Sequence, residues 1–154
     1  MMDEETREKI DEIFCDVIEK MAFMFGESVP EDELPPAGSE FVRTEMTFSG
    51  ATEGSIVMAV PAQMCAEVAA NVLGVDIDSD LAESRSCDAL KELLNVTCGN
   101  ILTALAGEEP VFDLHPPTLS EINEEDWNNF LSDENTHAYN VDENPVLLKI
   151  TMKS

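Results

Sequence analysis

Over the first 25 positions the apolar residues recur at intervals of three and four: Ile10, Ile13, Phe14, Val17, Ile18, Met21 and Phe25. That period predicts a helix over residues 3–25 with one apolar stripe, stopped by Gly26. Ser28 to Ala37 contains three prolines and reads as a loop. The period then changes to two. Val42, Thr44, Met46 and Phe48 alternate against Phe41, Arg43, Glu45 and Thr47, the pattern of a half-buried strand. Ser49 to Gly54 supplies turn residues and Ile56 to Val60 a second strand, so the pair forms a hairpin. Pro61 opens a short helix through Leu73, since its missing N–H costs nothing in a first helical turn, and Gly74 closes it. A longer helical pattern runs from about Ser79 to Ala106 and ends at Gly107. Val111–Leu114 reads as a strand, and Pro116-Pro117 fixes an extended strand entry. Glu121 to Asn135 is a polar, helical or irregular insertion around Trp127, Phe130 and Leu131. Thr136–Val141 and Val146–Met152 form a closing strand pair, joined by a turn at Asp142–Pro145.

The resulting order, α-β-β-α-α-β-β-β, describes an α+β chain: one domain, 1–154, with long helices packed on one mostly antiparallel sheet. At 154 residues such a domain buries about 70% of its unfolded surface. Met21 to Phe25 is expected to pack against the sheet, with a methionine-rich docking surface as the alternative.

Charge narrows the function classes. Eight basic residues against 33 acidic ones give a net charge of −25. That field repels phosphate backbones and anionic lipid, which excludes nucleic acid and membrane surfaces as partners, and it steers a partner that presents lysines. No stretch of about 18 apolar residues exists to span a bilayer. The start, Met1-Met-Asp-Glu-Glu-Thr, is acidic, the reverse of a secretory leader, so a cytoplasmic protein is expected. Cys15, Cys65, Cys87 and Cys98 contain no Cys-x2-Cys pair and no nearby histidine to complete a zinc set. Cys87 and Cys98 would lie about 16 Å apart along one helix, too far to bridge. Cys15, Cys65 and Cys98 sit among apolar neighbours, as small core residues do. The alternating aspartates Asp76, Asp78 and Asp80 fail as a calcium loop, because the positions that need Gly and Glu hold Leu81 and Cys87. They read instead as a loop and a cap for the next helix. His115 and His137 lack a nucleophile partner and read as structural.

One helical face is unusual. Asp88, Glu92, Asn95 and Gly99 stand at offsets of 0, 4, 7 and 11 in the long helix. At about 100° per residue they fall within roughly 40° of a common direction, while Leu90, Leu94, Thr97 and Ile101 centre on the opposite side. Asn and Gly on a solvated face cost about 1–2 kcal/mol relative to strong helix formers. Their presence there points to a role other than stability.

The spacing Asp88-x3-Glu92-x2-Asn95 resembles the [Asp/Ser]-x3-Glu-x2-Asn signature of the CheC/CheX/FliY phosphatases of bacterial chemotaxis. The Gly99-Asn100 pair and Pro116-Pro117-Thr118 are similar to the CheX pattern, and the resemblance runs over most of the chain. It implies a phosphatase acting on the aspartyl phosphate of a CheY-like response-regulator receiver domain. Asn95 would position the attacking water, and Glu92 would dock to a lysine of the partner. Asp88 would extend that contact, and Gly99 would leave room for the partner's surface. It implies no cofactor and no metal of this chain, with magnesium carried by the receiver. Some relatives carry a second signature on the first helix, but the matching stretch here, Asp16-Val-Ile-Glu-Lys20-Met-Ala-Phe23, has Lys and Phe where Glu and Asn belong. One site per chain is the CheX-like condition. The rival readings are a non-catalytic receiver-binding module and a dimerisation module, since relatives can dimerise and an exposed sheet edge can pair.

Overall fold

A computed structural model of the chain describes residues 3–108 and 111–153; of the residues 1–154 assigned to the domain, 1, 2, 109, 110 and 154 lie outside the described ones. Helix α1 spans Glu4–Ala22. The Asp3 carboxylate accepts from the Thr6 N–H at 2.8 Å, and Glu4 and Glu5 complement the positive end of the helix dipole. Strand β1 follows at Gly26–Ser28, then a single 3-10 turn at Glu31–Glu33 inside the expected loop. Strands β2 (Phe41–Gly50) and β3 (Gly54–Pro61) form the expected hairpin. Helix α2 spans Ala62–Leu73, capped by Pro61 and Gly74. Helices α3 (Asp80–Ser84) and α4 (Ser86–Ala106) follow, then β4 (Phe112–Leu114), β5 (Thr118–Ile122), α5 (Glu124–Leu131), β6 (His137–Val141) and β7 (Asn144–Met152). The order of principal elements is the one expected, and β1, α3, β5 and α5 are added to it.

Among the described residues all seven strands join one antiparallel sheet, in the order β1-β6-β7-β3-β2, with β4 and β5 sharing the far edge of β2. The alternation in β2 sorts its residues as the period-two pattern requires. Val42, Met46 and Phe48 join the main core with Ile56, Met58 and Val60 of β3, Ile10, Phe14 and Ile18 of α1, and Leu90, Leu94 and Ile101 of α4. Phe41 faces the other way into a second, smaller core with Ala59, Trp127, Ala138 and Leu147. Its ring stacks on Trp127 at 4.3 Å between centroids. The polar insertion is therefore an ordered helix, α5, started by a capping box between Asn123 and Asp126 and covering the second face of the sheet.

Several boundaries differ from the sequence reading. Strand β3 starts at Gly54 and β7 at Asn144, each two residues early, because ladder pairs Gly54↔Met152 and Val141↔Asn144 extend them and shorten the last turn to Asp142 and Glu143. Helix α1 stops at Ala22 rather than reaching 25: Phe23 turns left-handed at φ 55°, and the Phe23 and Met24 N–H groups close back on Glu19 and Ile18. Met24 is buried, whereas Phe23 and Phe25 are 73% and 65% exposed, so of these only Met24 packs against the sheet as expected. The Phe25 backbone is instead bound through both its N–H and C=O to Asp142 in the β6–β7 turn, a tertiary constraint that overrides the helical period. The long helix breaks at Arg85 (φ −105°, ψ 5°) into α3 and α4. The cap of α3 is Ser79, whose hydroxyl accepts from the Ala82 N–H at 3.1 Å, and not an aspartate.

All four cysteines are free. Burial pushes the Cys15 and Cys65 thiols up to about 11 and Cys98 to about 12. His137 is buried where α1 meets β6; its Nδ1 lies 2.7 Å from the Asp11 carboxylate, which also accepts from the Tyr139 hydroxyl at 2.6 Å. Burial, with Asp11 next to it, holds the Tyr139 phenol well above its ordinary range. No helix among the described residues is long and apolar enough to cross a membrane.

Candidate docking and active site

Helix α4 buries Ala89, Leu90, Leu93, Leu94, Thr97, Cys98, Ile101 and Leu102, and Thr97 returns its hydroxyl proton to the Leu93 carbonyl at 2.8 Å. With that face fixed against α1, α2 and the sheet, the opposite face has one orientation available. Asp88 and Glu92 are exposed and Asn95 and Gly99 are half-buried, so all four residues of the sequence stripe share the outward side. None of the Asp88, Glu92 or Asn95 side chains makes a hydrogen bond or ion pair among the described residues. The neighbouring Asn100 differs: its amide donates to the Val96 carbonyl at 2.8 Å, so the amide is committed to its own helix.

A groove of about 560 Å³ opens along this stripe, with Asp88, Lys91, Glu92 and Asn95 on one wall and Leu114, His115, Pro116 and Pro117 on the other. The second wall is produced by register. Phe48 pairs with Leu114 and Glu45 with Thr118, so two residues of β2, Met46 and Thr47, oppose three, His115, Pro116 and Pro117. One extra residue forces a bulge, and prolines without N–H donors cannot rejoin the ladder. The bulge is anchored at its start by the His115 N–H on the Thr47 carbonyl (3.0 Å) and at its end by the Thr44 hydroxyl on the Thr118 carbonyl (2.9 Å). The His115 ring sits 3.3 Å from the Ser49 hydroxyl. A second open groove of about 660 Å³ continues past Asn95 between α1 and α4, lined by Ile13, Asp16, Val17, Gly99 and Thr103 among others. A Cβ built on Gly99 meets no atom within 4 Å. Among the described residues nothing therefore packs against the outer side of Gly99.

The structure thus brings the Pro-Pro segment, which the sequence gives as a strand entry and as part of the CheX resemblance, against the acid-and-amide stripe. Lys91 was missed because it lies beside the stripe rather than in it, and because its significance depends on where residue 115 lands. The edge strand β5 was missed because only Leu119 and Ile122 in it are partly buried, a spacing of three that gives no period-two signal. No group of three or more His, Cys, Asp or Glu side chains is placed to hold a metal among the described residues.

Chemically the site offers an unengaged carboxamide, flanked by two carboxylates and one ammonium, on a rigid helix and open to a large visitor. Such a set orients and docks; it holds no nucleophile–base pair of its own.

The family profile described as Chemotaxis phosphatase CheX matches residues 42–133, which carry the hairpin, the stripe and the Pro-Pro bulge. No curated protein matches the chain. Solved structures resemble it along nearly their whole length. The chemotaxis protein CheX from Desulfovibrio desulfuricans shares 15% identity over 97% of this chain and 99% of that one, at a TM-score of 0.69. CheX from Vibrio vulnificus shares 17% over 97% of each, at 0.68. A chain of the CheX–CheY–BeF3–Mg2+ complex from Borrelia burgdorferi shares 20% over 97% and 98%, at 0.63. At such identities the likeness carries the fold, and the profile, which covers more than half of the sequence, carries the membership. The chain belongs to the CheX family of chemotaxis phosphatases.

Proposed function

We propose that this chain accelerates hydrolysis of the aspartyl phosphate on a CheY-like response-regulator receiver domain in the cytoplasm. The observation that supports the reading best is the Asn95 carboxamide, which is unengaged among the described residues, partly exposed, and set at the mouth of the groove under the Pro116-Pro117 bulge. Phosphoryl hydrolysis needs little covalent chemistry and much positioning. A carboxamide suits this reaction, because its oxygen accepts from the attacking water while its NH2 donates to a phosphoryl oxygen. A carboxylate there would repel the phosphate.

Glu92 stands three residues before Asn95 on the same face and pairs with a lysine of the receiver, setting the register of the docked helix. Asp88 extends that contact by a further turn. Gly99, with open space where a side chain would stand, leaves clearance for the receiver's backbone. Magnesium bound on the receiver supplies charge neutralisation at the phosphoryl group. The residues of this chain orient water and fix the partner. The Borrelia complex, in which CheX was solved with CheY, BeF3 and Mg2+, supports a partner of this kind.

The test is the lifetime of a phosphorylated receiver alone, with this protein, and with Asn95→Ala. The wild-type chain shortens the lifetime, and removal of the amide slows turnover by roughly 10²–10³, the cost of losing one oriented hydrogen-bonding group at a reacting centre. Equal lifetimes with wild type and Asn95→Ala would remove the amide's role. Glu92→Lys abolishes docking on this reading; unchanged affinity contradicts it. The sheet edges at β1 and β4–β5 support a second reading, a homodimer assembled by strand pairing, for which the stripe would be found buried in a symmetric interface.

A further inference from the structure

We infer that Lys91 reads the phosphoryl group of the docked receiver, so that the site prefers the phosphorylated partner over the unphosphorylated one. The inference rests on the proposed function and adds to it a specificity-determining residue outside the Asp88–Glu92–Asn95–Gly99 set.

With 33 acidic side chains against eight basic ones, four of the basic residues pair with a carboxylate, and of the three that make no ion pair or hydrogen bond among the described residues, Lys9 and Arg85 are exposed and Lys91 alone is half-buried. Lys20 pairs with Asp16 at 3.1 Å, Arg43 with Glu45 at 3.1 Å, Lys153 with Glu53 at 3.2 Å, and Lys149 with Asp133. Arg7 donates to the Glu134 and Thr136 carbonyls. Lys91 stands three residues after Asp88 and next to Glu92, yet makes no ion pair or hydrogen bond among the described residues. It is half-buried rather than extended into bulk water, and it lines the groove together with Asn95.

Helix geometry sets what it faces. Lys91 is turned about 60° from Asp88 towards the Leu114–Pro117 wall, on the flank that Asn95 also favours. Side chains on a helix lean towards its N-terminus, so the Asn95 carboxamide lies over the turn that carries Lys91 and Glu92. A phosphoryl group held at that amide would meet Lys91 and the carboxylates of Glu92 and Asp88. In the proposed docking the receiver's lysine neutralises Glu92. The ammonium is then the positive charge that the groove itself presents to the phosphoryl oxygens, and it is desolvated as the partner closes over it. Under those conditions a charged contact acts on affinity far more than a rim pair does. The unphosphorylated receiver offers no such oxygens, and Lys91 contributes little to its binding.

The experiment titrates wild type, Lys91→Gln and Lys91→Arg with a receiver domain, both free and loaded with beryllofluoride and magnesium, and follows dephosphorylation of the phosphorylated receiver in parallel. Lys, Gln and Arg have similar helix propensities, so the fold is retained, and unchanged melting curves verify it. Wild type prefers the loaded receiver. Lys91→Gln loses roughly ten- to a hundredfold of that preference, the loss expected for one hydrogen bond to a charged group, with affinity for the free receiver nearly unchanged and KM affected more than kcat. Lys91→Arg restores most of it. Equal weakening towards both forms would assign Lys91 to general steering and overturn the inference, as would no change. Turnover that is abolished in Asn95→Ala and untouched in Lys91→Gln overturns this inference alone. A Lys91-dependent preference without turnover supports it while removing the catalytic reading. A chain that binds no receiver overturns both.

Discussion

Replacing Gly99 with alanine separates folding from docking at a single methyl group. Glycine inside a helix costs about 0.8–1.0 kcal/mol relative to alanine, because the unfolded chain loses more freedom when it is fixed. A substituted Cβ normally recovers that only where it has room. At Gly99 the ideal Cβ position has no atom within 4 Å, whereas at Gly54 it would lie 2.0 Å from the Thr151 carbonyl oxygen across the β3–β7 ladder. Gly99→Ala is therefore expected to stabilise the isolated protein by about 1 kcal/mol, which for a chain of this size raises Tm by roughly 2–4 °C. The same methyl projects from the face assigned to the receiver. An extra methyl in a close-packed contact costs about 1–3 kcal/mol, a loss of roughly five- to a hundredfold in affinity, and Gly99→Leu costs more. Thermal unfolding followed by circular dichroism gives the first quantity and titration of a receiver the second. A lower Tm would show that the space beside Gly99 is not open. A higher Tm with undiminished affinity would show that the partner does not approach here, and Gly99 would lose its role.

The remaining expectations concern the thiols, one ion pair and the charge of the whole chain. Cys15, Cys65 and Cys98, with thiols pushed up to about 11, 11 and 12, hold roughly a thousandth or less of reactive thiolate at pH 8. The native protein should therefore consume one equivalent of an alkylating reagent quickly, at the exposed Cys87, and four after unfolding; rapid native labelling of more than one refutes the shielding of half-buried Cys15 and buried Cys65 and Cys98. The Lys149 ammonium, then the Asn135 N–H, hold the Asp133 carboxyl below its ordinary range. A depressed folded-state pKa means stability present above the unfolded value of about 3.9 and lost as pH falls through the folded value. Asp133→Asn should thus cost up to about 1 kcal/mol at pH 7 and progressively less below pH 4 in denaturant melts; a pH-independent difference contradicts this. Because a chain of charge −25 approaches an acidic phosphoryl pocket, its association rate should rise with added salt as repulsion is screened, and a stopped-flow rate that falls with salt would show that local attraction dominates the encounter.

What the sequence discloses and what it hides divides along physical lines. The stripe of α1, the β2–β3 hairpin, the Pro61 and Gly74 ends of α2 and the outward face of α4 are legible because each rests on a period or cap within a dozen residues. The end of α1 is not, because the helical pattern runs on to Phe25 while the chain is stopped by burial of Met24 and by the Phe25–Asp142 backbone bonds, 117 residues apart in sequence. Strand β5 is hidden because an edge strand with little burial needs no alternation. The groove is hidden for a different reason. Its second wall exists only because three residues at 115–117 oppose two in β2, a mismatch of registers that no local window contains. The acid-and-amide stripe could thus be read as a face, and its chemistry inferred from the resemblance. That it lies opposite a proline bulge, with Lys91 beside it, could not be read.

The first helix carries no such face. Asp16, Lys20 and Phe23 occupy the spacing that Asp88, Glu92 and Asn95 have on α4, and the two helices pack side by side. At α1 the charge is reversed at the middle position, and Lys20 closes on Asp16 at 3.1 Å, so the pair satisfies itself. The third position is lost more deeply. Phe23 is not on the helix: it adopts the left-handed cap at φ 55° one residue past Ala22, which turns its side chain away from the line of the preceding two. A carboxamide installed there would not stand where Asn95 stands relative to Glu92. The asymmetry therefore lies in the backbone as well as in the side chains. It follows from Met24 and Phe25 being drawn into the core and the β6–β7 turn, and it leaves α4 as the one helix of the pair whose outward face keeps helical spacing through all three matching positions.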